Sequence, residues 1–387
     1  MGISMGEYSI YVHFPFCRSR CIYCDFVSNV VTPIPVKQVT EQVRRELDAR
    51  RTWAGLRGAP LSIYFGGGTP SLWPKDALAR VVRSCLDGAD SNDIEVTVEL
   101  NPGDVDEAWI HGMLAAGVNR FSVGVQAMRD DRLQWLGRRH TVADARAAVQ
   151  TLRNCGASNI SVDFIYATPG HTEADMVSEL HALCGLEMNH ISAYELTIAE
   201  GTPLFHMHPD DIADEQRAHL WHLAGETMAR HGFERYEVSN YARGTTHRSR
   251  HNCHYWRGGT YLGLGAGAHG YVILGNRRIR YSNGATLSSW LDAPVSTASI
   301  AEKVFLGDGF NEILSDLDFA RELVMLGLRC KDGVDVEQLS SLAGGQGAFR
   351  EKLNDLVQEG WMVRQSHRLV PTSEAMLMAD ELALRFF

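Results

Sequence analysis

Tyr8-Ser-Ile-Tyr-Val-His13 runs without a break into Phe14-Pro-Phe-Cys17-Arg-Ser-Arg-Cys21-Ile-Tyr-Cys24-Asp-Phe26. The first stretch is short and β-prone; the second sets Cys17, Cys21 and Cys24 in C-x-x-x-C-x-x-C spacing at its end. Thiolates are the usual ligands of iron–sulfur clusters. Three of them hold three irons of a [4Fe–4S] cube and leave the fourth without a protein ligand. In this spacing the expected guest of that iron is S-adenosylmethionine, chelating through its amino and carboxylate groups. Electron transfer into the sulfonium then gives methionine and a 5′-deoxyadenosyl radical, chemistry that the cofactors carry. Structural zinc normally wants four ligands in paired C-x-x-C blocks, and a disulfide set fits the spacing less well still.

Outward from this loop, β-rich runs alternate with amphipathic stretches. The runs are Tyr8–His13, Leu61–Phe65, Ile94–Leu100, Arg120–Val125, Asn159–Ile165 and His190–Leu196. Helical patterns lie between them at Val36–Arg51, Lys75–Leu86, Val105–Ala116, Val142–Cys155 and Glu173–Leu186, with Thr141 placed as a cap and Gly117 as a stop. Such alternation means parallel strands joined by crossovers. The fold class is therefore α/β: an open (β/α)6 partial TIM barrel. The polar residues fall where barrels do their chemistry, at the carboxyl ends of strands. The cysteines follow the first strand and Gly66-Gly-Gly-Thr-Pro-Ser71 the second; Glu99 ends the third, Gln126 follows the fourth and Asp163 lies in the fifth.

Residues 1–205 read as this core, 206–309 as its extension and 310–387 as a small α-rich, winged-helix-like accessory domain with a hairpin at Trp361–Val370. The formal net charge of −10 argues against a nucleic-acid partner. The eight cysteines are scattered beyond the triad, a pattern that suits a reducing compartment. No signal peptide is readable at the start, and no run reaches the roughly 18 apolar residues of a membrane span, so a cytoplasmic location is expected.

Each remaining motif has a plain alternative. Gly66-Gly-Gly-Thr69 can bring backbone N–H groups to a ligand or make an ordinary tight turn. Glu99 and Asp163 offer acceptors for hydroxyls or an amine, and Arg138 a cation for a carboxylate; each alone is more often an ordinary charged residue. Gly263-Leu-Gly-Ala-Gly-Ala-His269 lacks the following helix and acidic residue of a dinucleotide site. His251-Asn-Cys-His-Tyr-Trp256 combines imidazoles, a thiol and aromatic rings, which suits haem ligation or a turn with aromatics in the core.

Taken together, the sequence resembles radical S-adenosylmethionine proteins of the HemN/HemW type, a family of oxygen-independent coproporphyrinogen III oxidases and haem chaperones. The resemblance rests on Tyr11-Val-His-Phe-Pro-Phe-Cys17, the Gly66–Ser71 run, Glu99-Leu-Asn-Pro102, Phe121-Ser-Val-Gly-Val-Gln126, Asp163-Phe-Ile-Tyr166, Arg235–Tyr241 and Leu326-Gly-Leu-Arg329. It implies two S-adenosylmethionine molecules. The first would touch Tyr11, Gly67 and Glu99; the second Tyr23, Gly68, Thr69, Gln126, Arg138 and Asp163, with Thr197 nearby. It also implies a flavodoxin- or ferredoxin-like electron donor. The oxidase branch carries a further cysteine where Phe26 stands, and the H-N-x-x-Y-W element is typical of the chaperone branch, with His251 as the haem ligand and a haem acceptor protein as partner. Ala167-Thr-Pro-Gly-His-Thr172, Leu100 and Ala127-Met128 depart from that branch, at positions expected to flank the second S-adenosylmethionine and the mouth. A radical methyltransferase acting on a heteroaromatic small molecule or peptide is the alternative that these departures suggest.

Overall fold

Strand β1 (Tyr8–Phe14) is buried along its length except at half-buried Tyr11. The structure, a computed structural model, describes residues 7–104, 106–207 and 212–387. The first six residues, Val105 and residues 208–211 lie outside the described residues, so the openings of the expected core and of the helix expected at Val105 are not described. The parallel series continues through β2 (Ser62–Gly67), β3 (Glu95–Leu100), β4 (Arg120–Gln126), β5 (Ile160–Tyr166) and β6 (His190–Glu195). Crossover helices α1 (Val36–Ala54), α2 (Lys75–Leu86), α3 (Glu107–Ala116), α4 (Asp130–Trp135), α5 (Val142–Asn154) and α6 (Glu173–Cys184) return the chain. Thr141 caps α5 in a capping box, and Gly117 closes α3 at φ +105°, a conformation that favours glycine.

Alternation along each strand separates two environments. Ile10, Val12, Phe14, Ile63, Phe65, Val96 and Val98 are fully buried in the core under the helices. The intervening residues turn inward and are polar. Ser9 and Ser62 hydroxyls meet at 2.8 Å, Ser161 bonds His190 Nδ1 at 2.7 Å, and Tyr64 donates to Glu99 at 2.7 Å.

Beyond β6 the sequence pattern loosens, yet the sheet continues. After α7 (Pro203–His206) and α8 (Asp214–Arg230), β7 (Glu234–Arg235) and β8 (Asn240–Ala242) extend the β6 edge in antiparallel. Helix α9 (Arg250–Trp256) leads to β9 (Thr260–Leu264), which pairs in parallel with β1. β10 (His269–Leu274), β11 (Arg277–Ser282) and β12 (Phe310–Leu314) complete a 12-stranded sheet ordered β12-β11-β10-β9-β1-β2-β3-β4-β5-β6-β8-β7. The glycines of Gly263–Gly267 serve this packing: a Cβ on Gly265 would lie 2.4 Å from the His13 carbonyl oxygen, and one on Gly263 1.7 Å from that of His269.

The accessory segment packs helix Asp316–Gly327 and a three-stranded sheet, β13 (Val334–Asp335), β14 (Met362–Gln365) and β15 (Arg368–Pro371), around its own apolar cluster. The expected Trp361–Val370 hairpin is the β14–β15 pair. Phe310–Leu314 belongs to the large sheet. Among the described residues, no helix is long and apolar enough to cross a membrane.

Candidate functional site

The loop after β1 is tied down at both ends. Cys17 N–H donates to Asn29 O at 3.0 Å, Cys24 N–H to Cys21 O at 3.3 Å, and His13 Nε2 lies 2.8 Å from Val27 O. Cys17, Cys21 and Cys24 are free thiols, partly exposed, on the wall of one cavity of about 450 Å³ at the carboxyl ends of the strands. Tyr23, Gly67, Gly68, Thr69, Glu99, Gln126, Arg138, Asp163 and Thr197 line the same cavity. Residues dispersed over the sequence thus meet at one mouth.

A chain of polar contacts orders the mouth around the thiols. Thr69 Oγ1 donates to Cys17 Sγ at 3.5 Å and itself accepts from Asn101 Nδ2 at 3.2 Å. Arg138 donates to Cys21 Sγ at 3.5 Å, to Asn101 Oδ1 at 2.5 Å and to Gly124 O at 2.9 Å. Glu99 accepts from Tyr64 Oη and, at 3.2 Å, from Gly67 N–H. Ser122 donates to Asp163 at 3.3 Å. Burial and the facing Asp163 carboxyl push Glu99 up to about 7; burial pushes Asp163 up to about 6 against its Ser192, Arg120 and Ser122 contacts. These carboxyls lack a full cationic partner and would gain one from a bound ammonium or sulfonium.

The glycine run works differently from a nest of free amides. Gly67 N–H is taken by Glu99, and Gly68 N–H by Phe14 O at 2.9 Å. The side chains these glycines lack would strike protein instead: the His13 ring at 2.5 Å from Gly67, at φ +108°, and the Phe16 backbone at 2.5 Å from Gly68. Close packing of β1 and β2 at the mouth is what needs glycine there.

Tyr11 and His251 lie elsewhere. Tyr11 sits inside the barrel below the mouth, with Oη 3.0 Å from His13 Nδ1. His251 is also interior and only 1% exposed. Its N–H donates to Glu95 at 3.0 Å, its Nδ1 lies 2.8 Å from Ser62 Oγ, and Tyr64 and Tyr255 rings pack at 5.1 and 4.6 Å. Burial, with His254 and Arg120 adding to it, pulls His251 down to about 3, so its ring is neutral.

The residues that depart from the chaperone pattern divide likewise. Leu100 lines the mouth. Ala127, Met128, Ala167, Thr168 and His171 are buried and do not. Met128 N–H donates to Glu179 at 2.7 Å, Arg132 bonds the same carboxylate, and His171 lies 3.4 Å from it. The expectation that all these positions flank the mouth is therefore corrected: most are packing behind β4 and β5, and they supply no reason of their own for a different substrate. Asn101, Ser122, Tyr64 and Tyr194 were not singled out from the sequence. Asn101 and Ser122 stand inside quoted motifs, and Tyr64 shares an inward face with Gly66, so strand alternation was the available signal.

The three thiols, on one cavity wall, are the donor set that an iron–sulfur cube takes up, since it spreads thiolates over separate irons. A partial barrel with three such thiols at its mouth defines the radical S-adenosylmethionine class, and the family model described as Radical SAM superfamily matches residues 11–183. The HemN C-terminal domain model matches residues 314–378. "Heme chaperone HemW" of Lactococcus lactis is 30% identical over 98% of this chain and 97% of its own. The Mycobacterium tuberculosis protein of that name is 32% identical over 96% and 93%. "Radical S-adenosyl methionine domain-containing protein 1, mitochondrial" of Danio rerio is 34% identical over 85% and 74%. The solved coproporphyrinogen III oxidase (HemN) of Escherichia coli shares the fold, with a TM-score of 0.79 at 18% identity over 98% of this chain and 90% of its own. The chain belongs to the HemN/HemW family of radical S-adenosylmethionine proteins. Membership implies a [4Fe–4S] cluster and S-adenosylmethionine.

Proposed function

We propose that this protein binds haem and passes it to an acceptor protein, with a [4Fe–4S] cluster on Cys17, Cys21 and Cys24 and two S-adenosylmethionine molecules in the mouth. The observation that carries the reading is similarity to curated haem chaperones over nearly the full length of both chains, accessory segment included. Phe26, 58% exposed on the rim, stands where the oxidase branch has its further cysteine.

When bound, the cluster supplies an electron, drawn from a flavodoxin- or ferredoxin-like donor, to the sulfonium of S-adenosylmethionine. The chain's own residues bind and orient. Gly67 and Glu99 serve the first molecule; Tyr11, off the cavity wall, does not touch it but lies beneath, bonded to His13. Tyr23, Gly68, Thr69, Gln126, Arg138 and Asp163, with Thr197 at the rim, serve the second. Arg138 is the cation for a carboxylate; Glu99 and Asp163 are acceptors for ribose hydroxyls or ammonium.

An anaerobic haem titration of the cluster-reconstituted protein, followed by Soret absorbance, tests the reading. Saturable, near-stoichiometric binding is expected, weakened in His251→Ala. Absence of saturable binding would sink it.

A further inference from the structure

The turn after β3, closed by Asp104 N–H on Asn101 O at 3.2 Å, meets the cysteine loop on two sides. On the outside Asp104 accepts from Arg18 Nε at 2.9 Å, an ion pair whose arginine is 55% exposed and which is worth little. On the inside Asn101 stands between the two residues that donate to cysteine sulfurs. Its Nδ2 donates to Thr69 Oγ1 at 3.2 Å, and Thr69 donates to Cys17 Sγ at 3.5 Å. Its Oδ1 accepts from Arg138 at 2.5 Å, and Arg138 donates to Cys21 Sγ at 3.5 Å. One amide thus completes a path from Cys17 to Cys21 through the loops that follow β2, β3 and α4.

The chemistry of the groups fixes the direction of every bond in this path. A guanidinium has donors only, so the amide turns its oxygen to Arg138 and its NH2 to Thr69. The Thr69 oxygen, accepting from that NH2, keeps its own proton for Cys17. With the amide reversed, NH2 would face the guanidinium and the amide oxygen would draw the Thr69 proton off the sulfur. Arg138 has a further acceptor in Gly124 O at 2.9 Å, and a Cβ on Gly124 would crowd both Arg138 Nη2 and Asn101 Oδ1 at 3.2 Å. Glycine there leaves the pair room to close.

Thr69, Asn101, Arg138 and Cys21 line not only the mouth but also a second cavity beside it, of about 310 Å³. The path is therefore part of the partition between two spaces, and a donor released from it has room to turn away from sulfur. Hydrogen bonds to the sulfurs help set the reduction potential of an iron–sulfur cluster, and groups that orient those donors tune it at one remove. Donors facing the thiolates offset the negative charge that reduction adds, so they favour the reduced form.

We propose that Asn101 is a positioning residue for the cluster: by holding Thr69 on Cys17 and Arg138 on Cys21 it raises the cluster's reduction potential and eases electron entry from the donor. This rests on the cluster assignment above and adds a residue that acts through its two neighbours.

The test uses the full-length, cluster-reconstituted protein without added S-adenosylmethionine, its midpoint read by an anaerobic redox titration followed by electron paramagnetic resonance. Asn101→Leu is similar in size and removes both ends of the amide. Iron and sulfide per chain are expected to match the wild type, while the equilibrium constant for one-electron reduction falls about tenfold, a midpoint about 59 mV lower. An unchanged midpoint with the cluster intact would overturn the proposal. Thr69→Val removes only the hydroxyl and is expected to lower the midpoint less, and the double variant to lower it by less than the sum of the two. Additive shifts would overturn the path. If Asn101→Leu takes up no cluster, Asn101→Asp decides: the carboxylate still accepts from Arg138 but also accepts the Thr69 hydroxyl, so adding Thr69→Val to it is expected to move the midpoint no further. A further fall would overturn the path. Failure of the wild type to take up a [4Fe–4S] cluster would instead end the cluster assignment itself.

Discussion

A methyl group added at Gly67 meets two obstacles, a backbone at φ +108° and the His13 ring 2.5 Å from the new carbon. Gly156 separates them, since it has φ +92° and open space around it. Gly156→Ala should cost about 1 kcal/mol from the backbone alone. Gly67→Ala should cost about 2–4 kcal/mol, with clash added to strain. Urea denaturation of both variants checks this, and equal losses would refute the packing role assigned to Gly67. Glu99 makes a prediction of opposite character. Its folded pKa, about 7, lies above the ordinary 4.5 because of burial and then Asp163. Between those values the folded state holds a proton that the unfolded chain has released. Stability is therefore full below about pH 4.5 and declines as pH rises to about 7, levelling off above. In Glu99→Gln the amide oxygen can still accept from Gly67 while its NH2 donates to the Tyr64 hydroxyl oxygen, so the fold survives. Stability against pH for the cluster-free protein should be flatter over that window in the variant; identical slopes would refute the assignment.

At the scale of elements, β4 and β5 finish alike at a non-glycine residue with positive φ: Gln126, the last of β4, at +68° and Ala167, just after β5, at +57°. Strain of about 1–3 kcal/mol at such a position persists only where neighbours over-determine it. Here Arg132 of α4 reaches Ile165 O at 3.0 Å and Glu179 of α6, while Glu179 also accepts from Met128 N–H. Burial would raise Glu179, but His171, Arg132 and that amide outweigh it and hold the carboxyl below its usual range. Arg132→Met leaves the buried carboxylate without its cation and should cost about 3–5 kcal/mol. Arg132→Met with Glu179→Leu should cost less than the single change; chemical denaturation at neutral pH compares them, and additive losses would refute the coupling. Strands β1 to β6 were legible because inward polar and outward apolar residues alternate, and because helix-period segments separate them. β7 and β8, at two and three residues, and the wholly outer β12 carry no such period; partners far along the chain define them. His251 is the sharpest case. Its motif was visible, but α9 is seated by Glu95, 156 positions earlier, which puts the imidazole inside the barrel. Likewise the glycine run was visible as a motif, while its collision partners on β1 were not.

Across the whole molecule, the accessory segment packs against the barrel at Tyr261 of β9 and Tyr271 of β10. Val238 N–H donates to Arg329 O at 2.9 Å and Lys331 N–H to Tyr236 O at 3.1 Å, so backbone of the two parts is stitched together. Phe319 covers Tyr271, and Leu323 lies 2.7 Å from where a Cβ on Gly258 would be. Among the described residues, the mouth, in contrast, is lined by residues 17–199. A chain ended after Leu314, which keeps β12 and the full large sheet, should therefore retain the three thiols in register. Reconstituted with iron and sulfide, it should take up cluster at close to the full-length stoichiometry, read by absorbance per chain. It should also bare the apolar surface around Tyr261 and Tyr271, bind a hydrophobic dye and unfold several degrees lower. Loss of the cluster in that chain, with the sheet still folded by circular dichroism, would mean that the accessory segment holds the mouth in shape.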